Sequence, residues 1–274
     1  MLRVNSSSFD LSQTQKNFNE IGYVVIDDFL VQEDSFLLRE FLQDMEEKKR
    51  KNDPSQMTPW PWILRLSMDN KISYLSEKKS YPLLNFNQVV KNKYLNDKKN
   101  SMYYWFYYSK PCLGKITPEN NSNHYYCVAT QEPGKEIEKD CKLCQIHHAM
   151  REPNFIRIIS DMTGLNISCE DELAMTLTRY DQFSFLSPHT DYSHDENAYK
   201  LSVIYYINYD LGEHNGGDLK LDFGWDEPIY ISPKHNRLIL FKPHKHTLHE
   251  VLPIKEGSSA FRYAFSGWFE GEKK

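Results

Sequence analysis

Residues 200–223 read "KLSVIYYINYDLGEHNGGDLKLDF". Two short runs rich in β-branched and aromatic residues, "KLSVIYYIN" and "GDLKLDF", flank the turn signal "EHNGGD", with no helical pattern between them. The same texture continues on both sides. "ELAMTLTRY" and "FSFLSPH" precede this stretch, while "PIYIS", "NRLILFK", "LHEVLPI" and "AFRYAFSGWF" follow it, separated by "GWDEP", "SPKHN" and "KEGSS". Eight closely spaced strands without intervening helices predict a jelly roll or closed barrel, and the mouth of such a barrel is a natural ligand site.

Upstream the periodicity changes. "LSQTQKNFNEIG" places Leu11, Phe18 and Ile21 near helical spacing and ends on Gly22. "YVVIDDFL" (Tyr23 to Leu30) predicts a short buried strand. "EDSFLLREFLQDMEEKKRK" predicts a second helix, with Phe36, Leu37, Phe41, Leu42 and Met45 on its apolar stripe. "EPNFIRIISDMTG" predicts a third, stopped by Gly164. Between them, residues 51 to 150 are punctuated by "NDPSQMTPWPW", "NNSNHYY" and "TQEPGKE", with one aromatic strand candidate, "MYYWFYY" (Met102 to Tyr108). The expected organisation is a single domain over 1–274. Residues 1–50 form helix, strand and helix, 51–150 are an insertion in contact with substrate, and 151–274 carry a helix and the β core.

Bulk properties exclude several classes. The chain has 274 residues, 40% hydrophobic and 26% charged, which describes a folded globular protein. Its net charge of −5 gives no electrostatic reason to expect nucleic acid as a partner. No apolar run approaches a membrane span, and "MLRVNSSSFDLSQ" lacks the apolar centre of a signal peptide. Five cysteines without an export signal suit a reducing compartment, so a cytoplasmic location is expected.

The chemistry begins at "SPHTDYSH" (187–194). His189 and Asp191, at i and i+2, point the same way on an extended segment and could share one metal ion. The plainer reading is a polar corner in which the two hydrogen-bond to each other. Third-ligand candidates come from "RLILFKPHKHTLHEVLPI", which holds His244, His246 and His249. His244 and His246 sit in a proline-containing turn, whereas His249 falls on the next strand, where a rigid element holds a ligand more tightly. Two histidines and one carboxylate leave adjacent metal positions open, the arrangement of non-haem iron(II) oxygenases, although zinc accepts the same ligand types. Arg262, within "AFRYAFSGWF", either grips an anion through parallel hydrogen bonds or lies on the solvated side of an edge strand.

The ordered set of His-x-Asp, a distal His and an Arg on the following strand resembles the iron(II)/2-oxoglutarate-dependent oxygenase superfamily, in particular its prolyl 4-hydroxylase-like branch. The likeness is carried by "TRYDQFSFLSPHTD" (178–191), "LSVIYYIN" (201–208), "NGGDLKL" (215–221), "RLILFKP" (237–243), "HEVLPI" (249–254) and "RYAFSGWF" (262–269). "IGYVVIDDFL" followed by a helix resembles that branch's entry into its fold. The resemblance implies a mainly β (α+β) fold, a double-stranded β-helix with N-terminal helices on its major sheet. It implies His189, Asp191 and His249 as metal ligands, Arg262 and Tyr206 as contacts to the distal carboxylate of 2-oxoglutarate, and Tyr180 at the pocket wall. Asn208 and Gly216-Gly217 match structural positions. The implied cofactors are Fe(II), with 2-oxoglutarate and O2 as co-substrates and ascorbate as a reductant. The implied reaction is hydroxylation of an unactivated C–H bond, Asp191 being the position that halogenating relatives leave empty. One departure is the longer turn "KEGSS" in the 13-residue step from His249 to Arg262.

The substrate reading stays open between a prolyl residue of a peptide or protein and a free amino acid or small natural-product intermediate. A non-catalytic cupin-like binding module is the alternative from another class. "CKLCQIHH" pairs Cys141 with Cys144, and a zinc site there would draw on His147, His148, Cys112, Cys127 or His124. His194, His214 and His235 lie in polar turns and are expected to be solvent-exposed.

Overall fold

The computed structural model describes residues 2–52, 62–68, 71–75, 103–108, 146, 149–168, 172–182, 184–192, 199–209, 211–212, 214–224, 226–258 and 260–270. Helix α1 (Leu11–Ile21) is capped by the Asp10 side chain, which accepts from the Gln13 N–H, and it stops at Gly22 in the left-handed conformation. Helix α2 spans Gln32–Asn52. Helix α3 (Pro153–Thr163) starts on its proline and stops at Gly164, again left-handed. All three predicted helices form, and among the described residues no helix is long and apolar enough to cross a membrane.

Each strand run predicted after residue 171 also forms. These strands are β5 (Glu172–Tyr180), β6 (Phe185–His189), β7 (Tyr199–Tyr206), β8 (Leu219–Asp222), β9 (Ile229–Ile231), β10 (Arg237–Phe241), β11 (Leu248–Val251) and β12 (Arg262–Glu270). N-terminal to them lie β1 (Tyr23–Ile26), β2 (Trp62–Met68), β3 (Lys71–Leu75) and β4 (Tyr103–Tyr108). The spatial order is β1-β10-β7-β12-β5-β4-β6-β11-β8-β9, every strand pairing antiparallel. The chain therefore alternates between a major layer (β5, β7, β10, β12) and a minor one (β6, β8, β9, β11), which is the jelly-roll double-stranded β-helix.

The major layer is buried on both faces. Leu201, Val203 and Tyr205 of β7, Leu238 and Leu240 of β10, and Phe265 and Phe269 of β12 pack with Phe18, Leu38, Leu42, Phe155 and Ile159 of the helices. Ile204, Tyr206, Ile239, Phe241 and Ala264 point the other way, onto Leu219, Leu221 and Ile231 of the minor layer. That is why Leu201–Tyr206 is buried throughout and reads as an almost continuous apolar run.

Three features differ from expectation. The first strand ends at Ile26, because Asp27 turns aside to hold Arg237 through two hydrogen bonds, of 2.5 and 2.8 Å, and Asp28 takes a φ of 53°. Residues 62–68 and 71–75, to which the sequence reading assigned no strand, form the antiparallel pair β2–β3, and β2 pairs in turn with β4. His235 is half-buried instead of solvent-exposed, its ring stacked on Phe36 at 6.0 Å between centroids.

Asn236 joins the N-terminal segment to the barrel. Its Oδ1 accepts from the Leu30 N–H at 2.9 Å and from the Tyr205 hydroxyl at 2.9 Å, and its Nδ2 donates to the Leu30 carbonyl at 2.8 Å. Its φ of 59° is one that asparagine tolerates better than most residues. Asn236→Ala strands these buried partners and keeps the strained backbone. Urea denaturation should show a loss of about 2–4 kcal/mol.

Candidate metal and anion site

His189 closes β6 and stands directly opposite His249 of β11 in the antiparallel register, so sheet spacing sets the distance between the two rings. Their centroids are 4.0 Å apart. Asp191, just beyond β6, brings Oδ1 to 3.7 Å from His189 Nε2 and Oδ2 to 3.4 Å from His249 Nε2. One donor atom from each residue lies within 4.8 Å of the others. These separations are longer than good N–H···O hydrogen bonds, so the polar-corner reading fits poorly; a single ion could bridge all three groups.

The ring nitrogens are prepared for such an ion. His189 Nδ1 lies 2.9 Å from the Ser187 carbonyl, which can only accept, so Nδ1 carries the proton and Nε2 keeps its lone pair. His249 is buried edge-on against Phe241, with 5.0 Å between ring centroids, and its Nδ1 has no partner among the described residues. Burial pushes the His249 pKa down to about 4; Asp191 opposes this and His189 adds to it. At neutral pH His249 is therefore an uncharged donor. Sequence reasoning overlooked Ser202, whose Oγ donates to Asp191 Oδ2 at 2.8 Å. A usable signal was present: Ser202 is a small polar residue that alternates with Ile204 and Tyr206 on one face of an otherwise apolar buried run.

Arg262 opens β12, between β5 and β7, and is 2% exposed, so the solvated edge-strand reading fails. Its guanidinium lies 4.7 Å from the Tyr180 ring centroid and 4.9 Å from that of Tyr206. It donates to the Tyr206 hydroxyl at 2.9 Å, while its Nε has no partner among the described residues. No carboxylate among the described residues pairs with it. A buried, unpaired guanidinium is costly, and an anionic ligand would offset that cost. Burial pushes the Tyr206 hydroxyl pKa up, with Arg262 pulling the other way. Gly217, at φ +80°, packs against this side chain: a Cβ there would lie 3.1 Å from Arg262 Cδ and 2.5 Å from Ile254 Cδ1.

The remaining candidates do not join the site. His244 and His246 are exposed in the turn before β11, and His214 is exposed in its own turn. Cys112, His124, Cys127, Cys141, Cys144, His147, His148 and His194 lie outside the described residues. Burial drives the His235 pKa down to about 4, with the Arg39 charge acting in the same direction.

Residues 175–270 match the family model described as the 2OG-Fe(II) oxygenase superfamily. No curated protein sequence matches the chain significantly. Among solved structures, a Pseudomonas putida prolyl-4-hydroxylase is similar with a TM-score of 0.53 at 15% identity, covering 96% of this chain and 100% of that one. A 2OG-Fe(II) oxygenase family oxidoreductase from Burkholderia pseudomallei scores 0.52 at 12% identity, covering 98% and 93%. A Trichoplax adhaerens prolyl hydroxylase, in complex with a hypoxia inducible factor oxygen degradation domain peptide fragment, scores 0.52 at 16% identity, covering 95% and 89%. At these identities the likeness is one of fold.

The histidine shifts predict an acid-sensitive metal-free protein. With folded pKa values of about 4 against 6.5 for the free side chain, His249 and His235 bind fewer protons folded than unfolded between those limits. Stability should fall as pH drops from 6.5 towards 4, each histidine contributing a slope of up to about one proton. Denaturation in chelator across this range checks the trend, and His249→Gln should flatten it.

Proposed function

We propose that this chain, which belongs to the 2OG-Fe(II) oxygenase superfamily through residues 175–270, hydroxylates an unactivated C–H bond, and that its substrate is a prolyl residue of a peptide or protein. One observation carries the reading: the same barrel interior holds both a His-Asp-His donor set and a buried guanidinium that pairs with no carboxylate among the described residues. Two imidazoles and a carboxylate are a donor set that Fe(II) accepts. Bound there with 2-oxoglutarate and O2, Fe(II) supplies the oxidising chemistry that turns the co-substrate into succinate and CO2 and leaves one oxygen atom for the substrate.

The chain's own residues hold and orient. His189 and His249 present Nε2, the former locked by the Ser187 carbonyl and the latter by packing on Phe241. Asp191 presents a carboxylate oxygen. Arg262 grips the far carboxylate of 2-oxoglutarate. Because the Tyr206 oxygen accepts from Arg262, its own proton is free to donate to the same anion. Tyr180 and Tyr206 wall the guanidinium and keep water from it. Ser202, hydrogen-bonded to Asp191, and Tyr206, hydrogen-bonded to Arg262, share one face of β7 four residues apart, roughly 13 Å along a strand. A five-carbon diacid suits that span once side chains reach in from both ends.

Support for a peptide substrate comes from the shared fold, since one similar structure is a prolyl hydroxylase holding a peptide fragment. His189 keeps 29% of its side chain exposed, so the metal position can be approached from outside the barrel. In this reading residues 51–150 supply the substrate contacts.

Incubation of candidate prolyl peptides and cell extract with the protein, Fe(II), 2-oxoglutarate and O2 should give a one-oxygen mass gain matched by succinate. Oxidation of a free amino acid or small metabolite instead would move the substrate assignment. The absence of a visible charge-transfer band on anaerobic addition of Fe(II) and 2-oxoglutarate, or a band undiminished in His189→Ala, would sink the oxygenase chemistry. Arg262→Met should raise KM for 2-oxoglutarate on the order of 100-fold, because it removes the charged partner of a buried anion. Gly217→Ala, which crowds Arg262 without deleting it, should produce a smaller rise in the same constant.

A further inference from the structure

We propose that Ser202 is a positioning residue that restricts Asp191 to single-oxygen ligation, an inference that rests on the metal-site reading above. The Asp191 carboxylate is 7% exposed, and its two oxygens are not equivalent. Oδ2 accepts the Ser202 hydroxyl at 2.8 Å, whereas Oδ1 receives no hydrogen bond among the described residues. Oδ2 also faces His249 Nε2 at 3.4 Å, and Oδ1 faces His189 Nε2 at 3.7 Å.

The two histidines are held by the strand ladder, since His189 and His249 pair with each other across β6 and β11. Asp191 has no such support, because β6 ends at His189. Its side-chain tether is Ser202, which is 1% exposed and paired on both sides, with Phe241 of β10 and Trp268 of β12. The ligand that leaves the ladder first is thus tied to one of its most enclosed strands.

A carboxylate can approach a metal through one oxygen or two. The second mode consumes one of the positions that a bidentate 2-oxoglutarate and O2 require. A hydroxyl fixed on Oδ2 engages one of that oxygen's lone pairs and sets the plane of the group, which biases the carboxylate towards single-oxygen ligation. Deleting the hydroxyl also leaves a buried charged oxygen without its donor.

The test compares Ser202→Thr with Ser202→Val, two side chains of nearly equal shape that differ in the hydroxyl. Thermal unfolding of the metal-free forms establishes that both fold, and Ser202→Ala supplies the same deletion without added bulk if the valine variant does not. Calorimetric titration with Mn(II) alone should show the hydroxyl-free variant binding about tenfold or more weakly than the threonine variant. The visible spectrum of the Co(II) form should also weaken in the hydroxyl-free variant, as expected when coordination number rises. Equal Mn(II) affinities with superimposable Co(II) spectra would overturn the role of Ser202. If wild type fails to bind Mn(II), or Asp191→Ala binds it equally well, the metal site itself falls and the role of Ser202 falls with it.

Discussion

A buried cation that meets no anion among the described residues is the constraint around which the barrel interior is organised. Taking a guanidinium out of water is unfavourable by several kcal/mol unless hydrogen bonds and counter-charge replace the lost solvent. Around Arg262 the described residues replace it in part: two aromatic faces and one tyrosine oxygen, with no partner among them for Nε. The neighbourhood keeps the side chain in place nonetheless. Gly217 gives up a Cβ to make room for it, and the next residue, Tyr263, is anchored by its backbone N–H to the Asn208 side chain at 2.5 Å. On the proposed function, an anion entering here would find donors already in place, the arrangement that makes preorganised sites selective for charge.

Much of this was legible in the sequence because the relevant signals are local. Strand runs separated by glycine-rich turns predict the eight strands of the core, since the pleat has a period of two and the turns need particular residues. The choice of His249 over His244 and His246 follows from the difference between a strand and a turn, and in the structure only His249 faces Asp191. What escaped was non-local. Ser202 looks like an incidental polar residue until β6 and β7 bring it beneath Asp191. His235 carries the polar flanks of an exposed turn, but α2 supplies Phe36 to cover its ring. The β2–β3 pair was hidden by its surroundings: the alternation of Leu64, Leu66 and Met68 with Arg65 and Ser67 was there, but nearby prolines and asparagines drew attention to turns.

The donor set and the anion site also differ in how they are made. The metal-facing groups depend on register, because a one-residue slip between β6 and β11 would turn either His189 or His249 to the other face. The anion-facing groups depend on adjacency within the major layer, where Arg262 pairs with Tyr180 and Ala264 with Tyr206. The first arrangement is sensitive to the minor layer, the second to the helices that back the major layer.

Strand β4 pairs with β2 along one edge, and its other edge meets β5 at Phe106 and Tyr107 and β6 at Tyr103 and Tyr104. It therefore laces the two layers along one flank, whereas β1 and β9, at the two ends of the strand order, are not paired with each other. A load passed between the two layers is therefore carried by β4 on that flank, while among the described strands the flank of β1 and β9 has no ladder to carry it.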